Sequence, residues 1–181
     1  EHELAIGNPV AVSAFALQSL PGEFSMALRL SVAKQISERN ANYVADLHKK
    51  LNFNFNRGRQ RKRIRVGYVS PDFRFHSVSV AFKGILDNHD TDRIEAYGYA
   101  AHSAEDDHMT NALRERFHGY RQMNGQPFEV SAQQIYDDGI DILVDLAGHT
   151  KGGQLSLLAL KPAPIQAHYL GYSATIGASY L

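Results

Sequence analysis

The sequence has 181 residues, 19 basic and 19 acidic side chains, a formal net charge of zero and no cysteine. That balance gives no global argument for a nucleic-acid or membrane-surface partner, and the lack of cysteine excludes a disulfide framework and thiolate chemistry. The length allows one domain with a real core plus some extra helix, and no apolar run is long enough to span a bilayer.

The stretch from Asn8 to Leu20 is apolar at most positions, with Pro9 acceptable at a helix start, and Pro21-Gly22 breaks it. Helical spacing follows at Phe24, Ala27, Leu28, Ala33, Ile36, Tyr43, Val44 and Leu47. Residues 1–56 therefore read as a helical lead-in of two or three helices that packs against a sheet or a neighbouring domain. A linker is expected from Asn52 to Lys62. It begins the one basic cluster, Arg57, Arg59, Arg61, Lys62, Arg63 and Arg65. No aromatic residues interleave these charges, so a solvated linker is preferred to a nucleic-acid patch.

The pattern changes at residue 64. Ile64 to Ser70 reads as a strand, Ser70 to His76 as a turn and Ser77 to Asn88 as a helix. Ile94 to Ala100 is a second strand, Ala104 to Phe117 an amphipathic helix, and Gly119 to Met123 a weak third strand. A short helix is expected from Val130 to Asp138, ended by Asp138-Gly139. Ile140 to Leu146 is an apolar run rich in branched residues, the signature of a buried parallel strand. A helix over Gly153 to Leu160 is stopped by Pro162-Ala163-Pro164. The last strand is Ile165 to Leu170, and Gly171 to Gly177 is a loop. Strands alternating with helices imply βαβ units, hence an α/β fold with a parallel sheet flanked by helices, over residues 57–181. The chain opens on Glu1 without a secretory leader and closes on a loop at Leu181, so we expect a piece of something larger, and a cytoplasmic one.

Right-handed crossovers place all the strand-to-helix turns along one edge, where ligands of open α/β sheets sit. Those turns hold the unusual side chains: Asp72 and His76, then His102 and Asp106, then His149 and Lys151, then Gly171 and Tyr172. The opposite turns, such as His89 to Arg93, read as plain solvated connectors. His76 is either an imidazole at the crevice tuned by Asp72, or a surface residue beside a helix that Asp72 caps. His149-Thr150-Lys151 is flanked by Gly148, Gly152 and Gly153, which lets backbone approach a phosphate or sugar with the ammonium as counter-charge. The competing reading makes Thr150 a helix cap. The histidines show no metal-ligand spacing, and His168 alternates with apolar residues, as a satisfied core or edge residue would. The sequence has no Walker motif, no Gly-x-Ser-x-Gly elbow, and no Gly-x-Gly-x-x-Gly after the first strand.

Three blocks then carry a family resemblance: Arg65 to His76, Asp138 to Gly152, and Leu160 to Tyr172. Together they resemble the O-linked N-acetylglucosamine transferase and SPINDLY family, strongly from Ile64 onward and loosely over Asn8 to Asn40. The resemblance implies a Rossmann-like N-terminal half of a GT-B glycosyltransferase. Its substrate is a nucleotide sugar, UDP-N-acetylglucosamine or, in SPINDLY-like members, GDP-fucose, delivered to Ser or Thr of a protein acceptor by an inverting mechanism without a metal or other cofactor. It implies as partners a C-terminal nucleotide-binding half and upstream tetratricopeptide repeats. By motif, Asp72 and His76 match the active-site Asp and His. His149, Thr150 and Lys151 match the Gly-Tyr/His-Thr-Lys turn, and Leu170, Gly171 and Tyr172 match the backbone segment beside the sugar. The chain departs from the pattern at Val10 and Val80, where the family has imidazoles, and at Ser173-Ala174, where it has Pro-Gly. A diverged binding module without catalysis is the alternative.

Overall fold

In the computed structural model, residues 13–19, 24–55, 61–102 and 105–181 are described. The apolar runs form five strands: β1 (Ile64–Ser70), β2 (Ile94–Ala100), β3 (Gly119–Gln122), β4 (Ile142–Asp145) and β5 (Ile165–His168). Their order in the sheet is β3-β2-β1-β4-β5, and every neighbouring pair is parallel. The last residues of β1 and β2 are buried, as expected of central strands covered on both faces. The chain first builds outward from β1 to β3, then returns to the other side of β1 to add β4 and β5. The reversal falls between β1 and β4, where the loops leaving the two strands diverge and open a crevice.

The helices divide into two layers. On one face lie α4 (Ser77–Asp87) and α5 (His108–Arg114), over a core of Tyr68, Phe73, Phe82, Leu113 and Phe117. The other layer holds α2 (Met26–Tyr43), α3 (Ala45–Leu51), α6 (Phe128–Asp137) and α7 (Leu155–Ala159). The short α1 (Ala14–Ser19) packs on α2, and α2 packs on α7. Val44 at the end of α2 shares one buried cluster with Val69, Leu143, Leu157, Leu158 and Tyr172. Polar seams reinforce this: Ser37 Oγ donates to Ile176 O at 2.7 Å and Ser156 Oγ to Asn40 Oδ1 at 2.7 Å.

Several expected elements change in detail. The helical run from Phe24 breaks at Val44 into α2 and α3, and the described part of the Asn8–Leu20 helix is Ala14–Ser19. The helix expected over Ala104–Phe117 spans only His108–Arg114, because the Asp107 and Thr110 side chains form a reciprocal capping box that sets its start. The helix after β4 begins at Leu155, not Gly153. Of the basic cluster, Arg57 and Arg59 lie outside the described residues. The arginines that follow are not a solvated linker. Arg61 pairs with Asp141 at 3.2 Å, and Arg63 and Arg65 both pair with Glu95 at 2.5 and 2.7 Å, stitching strand entries together. His89 is no plain connector either: its Nε2 lies 2.7 Å from the Tyr68 hydroxyl, with its ring against the Tyr68 ring.

Candidate active site

The loop leaving β1 is pinned from three sides. Ser70 Oγ accepts the Asp72 N–H at 3.0 Å, and the Arg74 N–H returns to Asp72 O at 2.7 Å, which folds the chain back on itself. Phe73 is fully buried in the α4–α5 core, and its carbonyl accepts from Thr110 Oγ1 at 2.8 Å. The Phe75 N–H donates to Asp107 Oδ2 at 2.5 Å. His76 is thereby delivered to the N-cap of α4 in extended backbone, where its Nδ1 accepts the Val78 N–H at 3.3 Å. Asp72 Oδ2 lies 3.7 Å from the same Nδ1, and Arg74 sits 3.6 Å from the other carboxylate oxygen. Asp72 is therefore not the cap: His76 caps the helix itself, with a nearly buried carboxylate behind it. Val80 lies one helical turn on and is exposed.

The loop leaving β4 turns on a buried carboxylate. Asp145 Oδ1 accepts the Ala147 N–H at 3.1 Å and Oδ2 the Gly148 N–H at 2.7 Å, which bends the chain as soon as the strand ends. Gly148 takes φ +56°, and a Cβ there would lie 2.9 Å from Tyr172 Cβ. Thr150 Oγ1 donates to Ala147 O at 2.8 Å within the turn. It is not a helix cap, since α7 starts five residues later and has no side-chain cap. No helix N-terminus points at a phosphate here. What the turn offers is exposed backbone, the Thr150 hydroxyl and the solvent-exposed Lys151. His149 is turned inward, its Nε2–H donating to Ile176 O at 2.9 Å, and burial lowers its pKa despite that bond and the nearby Asp145 charge.

The loop leaving β5 closes the group. Leu170 has φ +73°, and the Gly171 N–H donates to Tyr169 O at 3.1 Å. This is a three-residue γ-turn of the rare positive-φ kind. It brings Gly171 so close to β4 that a Cβ would stand 1.8 Å from Leu146 O and 3.3 Å from Val78 Cγ2. Gly152 likewise abuts Pro71, 2.8 Å from where its Cβ would be. The three loops that carry Asp72 and His76, Thr150 and Lys151, and Leu170 and Gly171 thus meet at the β1–β4 reversal. Tyr172 differs from its neighbours: its ring is buried between His149 and His168, at 5.3 and 6.1 Å between centroids, so only its backbone lines the turn.

One feature is not read as a site from the sequence: Asp145 with its partner His168. The signal was available: a carboxylate inside an apolar strand, two and three residues before backbone amides that need an acceptor. Of the other edge residues, Asp106 pairs with Arg114 at 2.5 Å on the surface. His102 is buried, with neither ring nitrogen bonded among the described residues.

A parallel sheet in this order, flanked by helices, with glycine-paved loops gathered at its reversal, defines a Rossmann-like half of the GT-B kind. The profile of glycosyl transferase family 41 matches residues 16–181, and the chain belongs to that family. It is 36% identical over 121 residues to a UDP-N-acetylglucosamine--peptide N-acetylglucosaminyltransferase of Caenorhabditis elegans, covering 66% of this chain and 10% of that protein. It is 35% identical over 118 residues to the probable enzyme SPINDLY of Arabidopsis thaliana, covering 63% of this chain and 13% of that protein. Among solved structures, an O-GlcNAc transferase of Thermobaculum terrenum superposes with TM-score 0.76 at 25% identity, over 93% of this chain and 31% of that one. The chain thus spans about a tenth of the length of these curated relatives.

Proposed function

We propose that this chain is the N-terminal half of a protein O-glycosyltransferase that moves N-acetylglucosamine from UDP-N-acetylglucosamine to Ser or Thr of proteins, with inversion and without a metal. One observation carries the reading: the loops after β1, β4 and β5 meet so closely that Gly152, against the Pro71 ring, and Gly171, against the Leu146 carbonyl, leave no room for a Cβ. The family relationship supplies the substrate class. In this reading residues 57–181 are the Rossmann-like half, residues 1–56 its helical lead-in, and a C-terminal nucleotide-binding half closes the cleft. The upstream partner is a tetratricopeptide array, the acceptor is a protein, and the setting is the cytoplasm.

The acceptor hydroxyl oxygen attacks the anomeric carbon while the bond to the UDP oxygen breaks on the opposite face. The hydroxyl proton must leave, and the diphosphate must be held as its charge grows. Lys151 and the backbone around Thr150 and Gly171 supply that hold. His76 works at the reacting end. With Nδ1 accepting from Val78, a neutral ring carries its proton on Nε2 and acts there as a donor to substrate oxygen. To take the acceptor's proton, the ring must carry its own proton on Nδ1, facing the Asp72 carboxylate 3.7 Å away; the hydroxyl proton then passes to Nε2 as the UDP oxygen leaves with the electron pair of the broken bond. Asp72 therefore governs which tautomer His76 adopts.

The test is transfer of labelled sugar, from UDP-N-acetylglucosamine and separately from GDP-fucose, by the protein carrying this domain joined to its C-terminal half. Wild type should transfer, and His76→Ala and Lys151→Ala should each lose about two orders of magnitude or more in kcat. Transfer from GDP-fucose alone would reassign the sugar. No transfer from either donor by a folded protein would favour a diverged binding module, the reading that exposed Val80 in place of an imidazole supports.

A further inference from the structure

Behind the ligand-facing loops lies a closed circuit that none of the roles above uses. Asp145, at the end of β4, is fully buried. Besides the Ala147 and Gly148 amides, its Oδ2 meets His168 Nδ1 at 2.7 Å. The other ring nitrogen of His168, Nε2, lies 2.9 Å from Tyr172 O. Both ring nitrogens therefore face acceptors, an arrangement that only the doubly protonated imidazolium satisfies. The Tyr169 N–H, next in the chain, donates to Asp145 O at 2.9 Å. The segment from Tyr169 to Tyr172 is thus held at its start by the Asp145 main chain and at its end by the His168 ring that pairs with the Asp145 carboxylate.

Inside that clamp sits Leu170 at φ +73°, a conformation that costs free energy and persists only where its surroundings over-determine it. We propose that Asp145 and His168 are positioning residues: their buried ion pair sets the Leu170-Gly171 backbone against β4 and ties it to the Gly148 turn at the spacing the donor sugar requires. The placement of the sugar rests on the glycosyltransferase reading above; the clamp itself does not. A neutral His168 keeps one N–H. If it remains on Asp145, the bare Nε2 lone pair faces the Tyr172 carbonyl and the far end of the clamp is released.

The groups around the pair are few. His149 and Tyr172 come from the adjoining loops, and Tyr180 from the C-terminal segment, near enough to feel the Asp145 charge. Lys34 and Glu38 of α2 line, with His168, a cavity of about 660 Å³. Burial opposes the His168 charge, but Asp145 and the Tyr172 carbonyl outweigh it and hold the imidazole pKa above its ordinary value.

The decisive measurement is an NMR pH titration of the 181-residue chain, following the His168 ring nitrogens and the amides of Gly148, Leu170 and Gly171. We expect the His168 ring to titrate above the ordinary imidazole value and those amides to shift in step with its deprotonation. Asp145→Asn should lower the His168 midpoint by about one unit or more, and His168→Gln should leave the amides without that step. In the transferring protein both variants should reduce kcat on the order of 10- to 100-fold with KM within a few-fold. The alkaline limb of the wild-type pH profile should move to lower pH in Asp145→Asn and vanish in His168→Gln. Loop amides indifferent to His168, or an unchanged kcat and alkaline limb in a transferring protein, would overturn the proposal. A wild type that transfers no sugar while the amides still follow His168 would overturn the glycosyltransferase reading and uphold the clamp.

Discussion

Gly171 and Leu170 carry opposite demands in adjacent positions. A Cβ on Gly171 would stand 1.8 Å from a backbone carbonyl that cannot rotate away. Gly171→Ala is therefore expected to destabilise the chain by about 2–3 kcal/mol or to displace the loop, read as a lowered midpoint in thermal unfolding. Leu170 holds a positive φ that glycine adopts without steric cost. Its side chain is over a third exposed, so little burial is lost on removing it. Leu170→Gly should leave stability unchanged or raise it by up to about 1 kcal/mol. A loss of several kcal/mol in urea titrations would show that the side chain, not the backbone, matters there. Asp72 and His76 obey a similar local logic, since four residues of tightly bonded turn place one behind the other.

At the scale of elements, short pieces are held by polar side chains where apolar burial is thin. The seven-residue α5 is capped by Asp107, whose carboxylate also takes the Phe75 N–H and so joins the β1 loop to the helix. Desolvation works against its ionised form, yet the amides of Thr110, Phe75 and Met109 and the Thr110 hydroxyl hold its pKa down to about 2. The stability it contributes is present above its unfolded pKa and is lost as pH falls from about 4 toward 2. Asp107→Ala should cost about 1–2 kcal/mol at neutral pH and loosen the His76 loop, visible as faster amide exchange at Arg74 and Phe75. The loops after β4 and β5 show the other side of neutrality. His168 has a raised pKa, so its contribution is complete below its unfolded value of about 6.5 and is lost as pH rises through the higher folded value. His149 has a lowered pKa, so its contribution is present above about 6.5 and is lost as pH falls through the lower folded value. Thermal midpoints plotted against pH should fall on both sides of a neutral maximum. His168→Gln should flatten the alkaline side alone.

For the whole molecule, the crevice has one wall. In the proposed reading, the loops after β1, β4 and β5 position a sugar and offer Lys151 to a diphosphate, but they leave it open to water on the other side. We expect the purified 181-residue chain to show no detectable sugar transfer, with activity restored when the C-terminal half is joined. Transfer by the chain alone, in the same radiolabel assay, would show that one wall suffices. The lead-in helices form part of this wall's support, because α2 bonds the Ile176 carbonyl that His149 also contacts.

Much of this architecture was legible in the residues. Continuous apolar runs such as Ile142-Leu143-Val144, separated by helical spacing, specify a parallel α/β sheet because period and burial are local properties. The Gly148-His149-Thr150-Lys151 and Leu170-Gly171-Tyr172 turns were conspicuous for the same reason. Strand order was not legible: nothing in β4 alone says that it returns to the far side of β1, and that choice puts the three loops together. Nor could spacing show that Tyr172 is buried, that His76 rather than Asp72 caps its helix, or that Arg63 and Arg65 share Glu95. Asp145 and His168 are 23 residues apart and bond only because β4 and β5 are neighbours in register. The sequence by itself determined which segments become strands and helices and where glycine admits a turn, since those follow from backbone sterics and side-chain period. Only the tertiary structure decided which turns touch and which charges are buried together, because contact and desolvation depend on segments that the chain brings together from far apart.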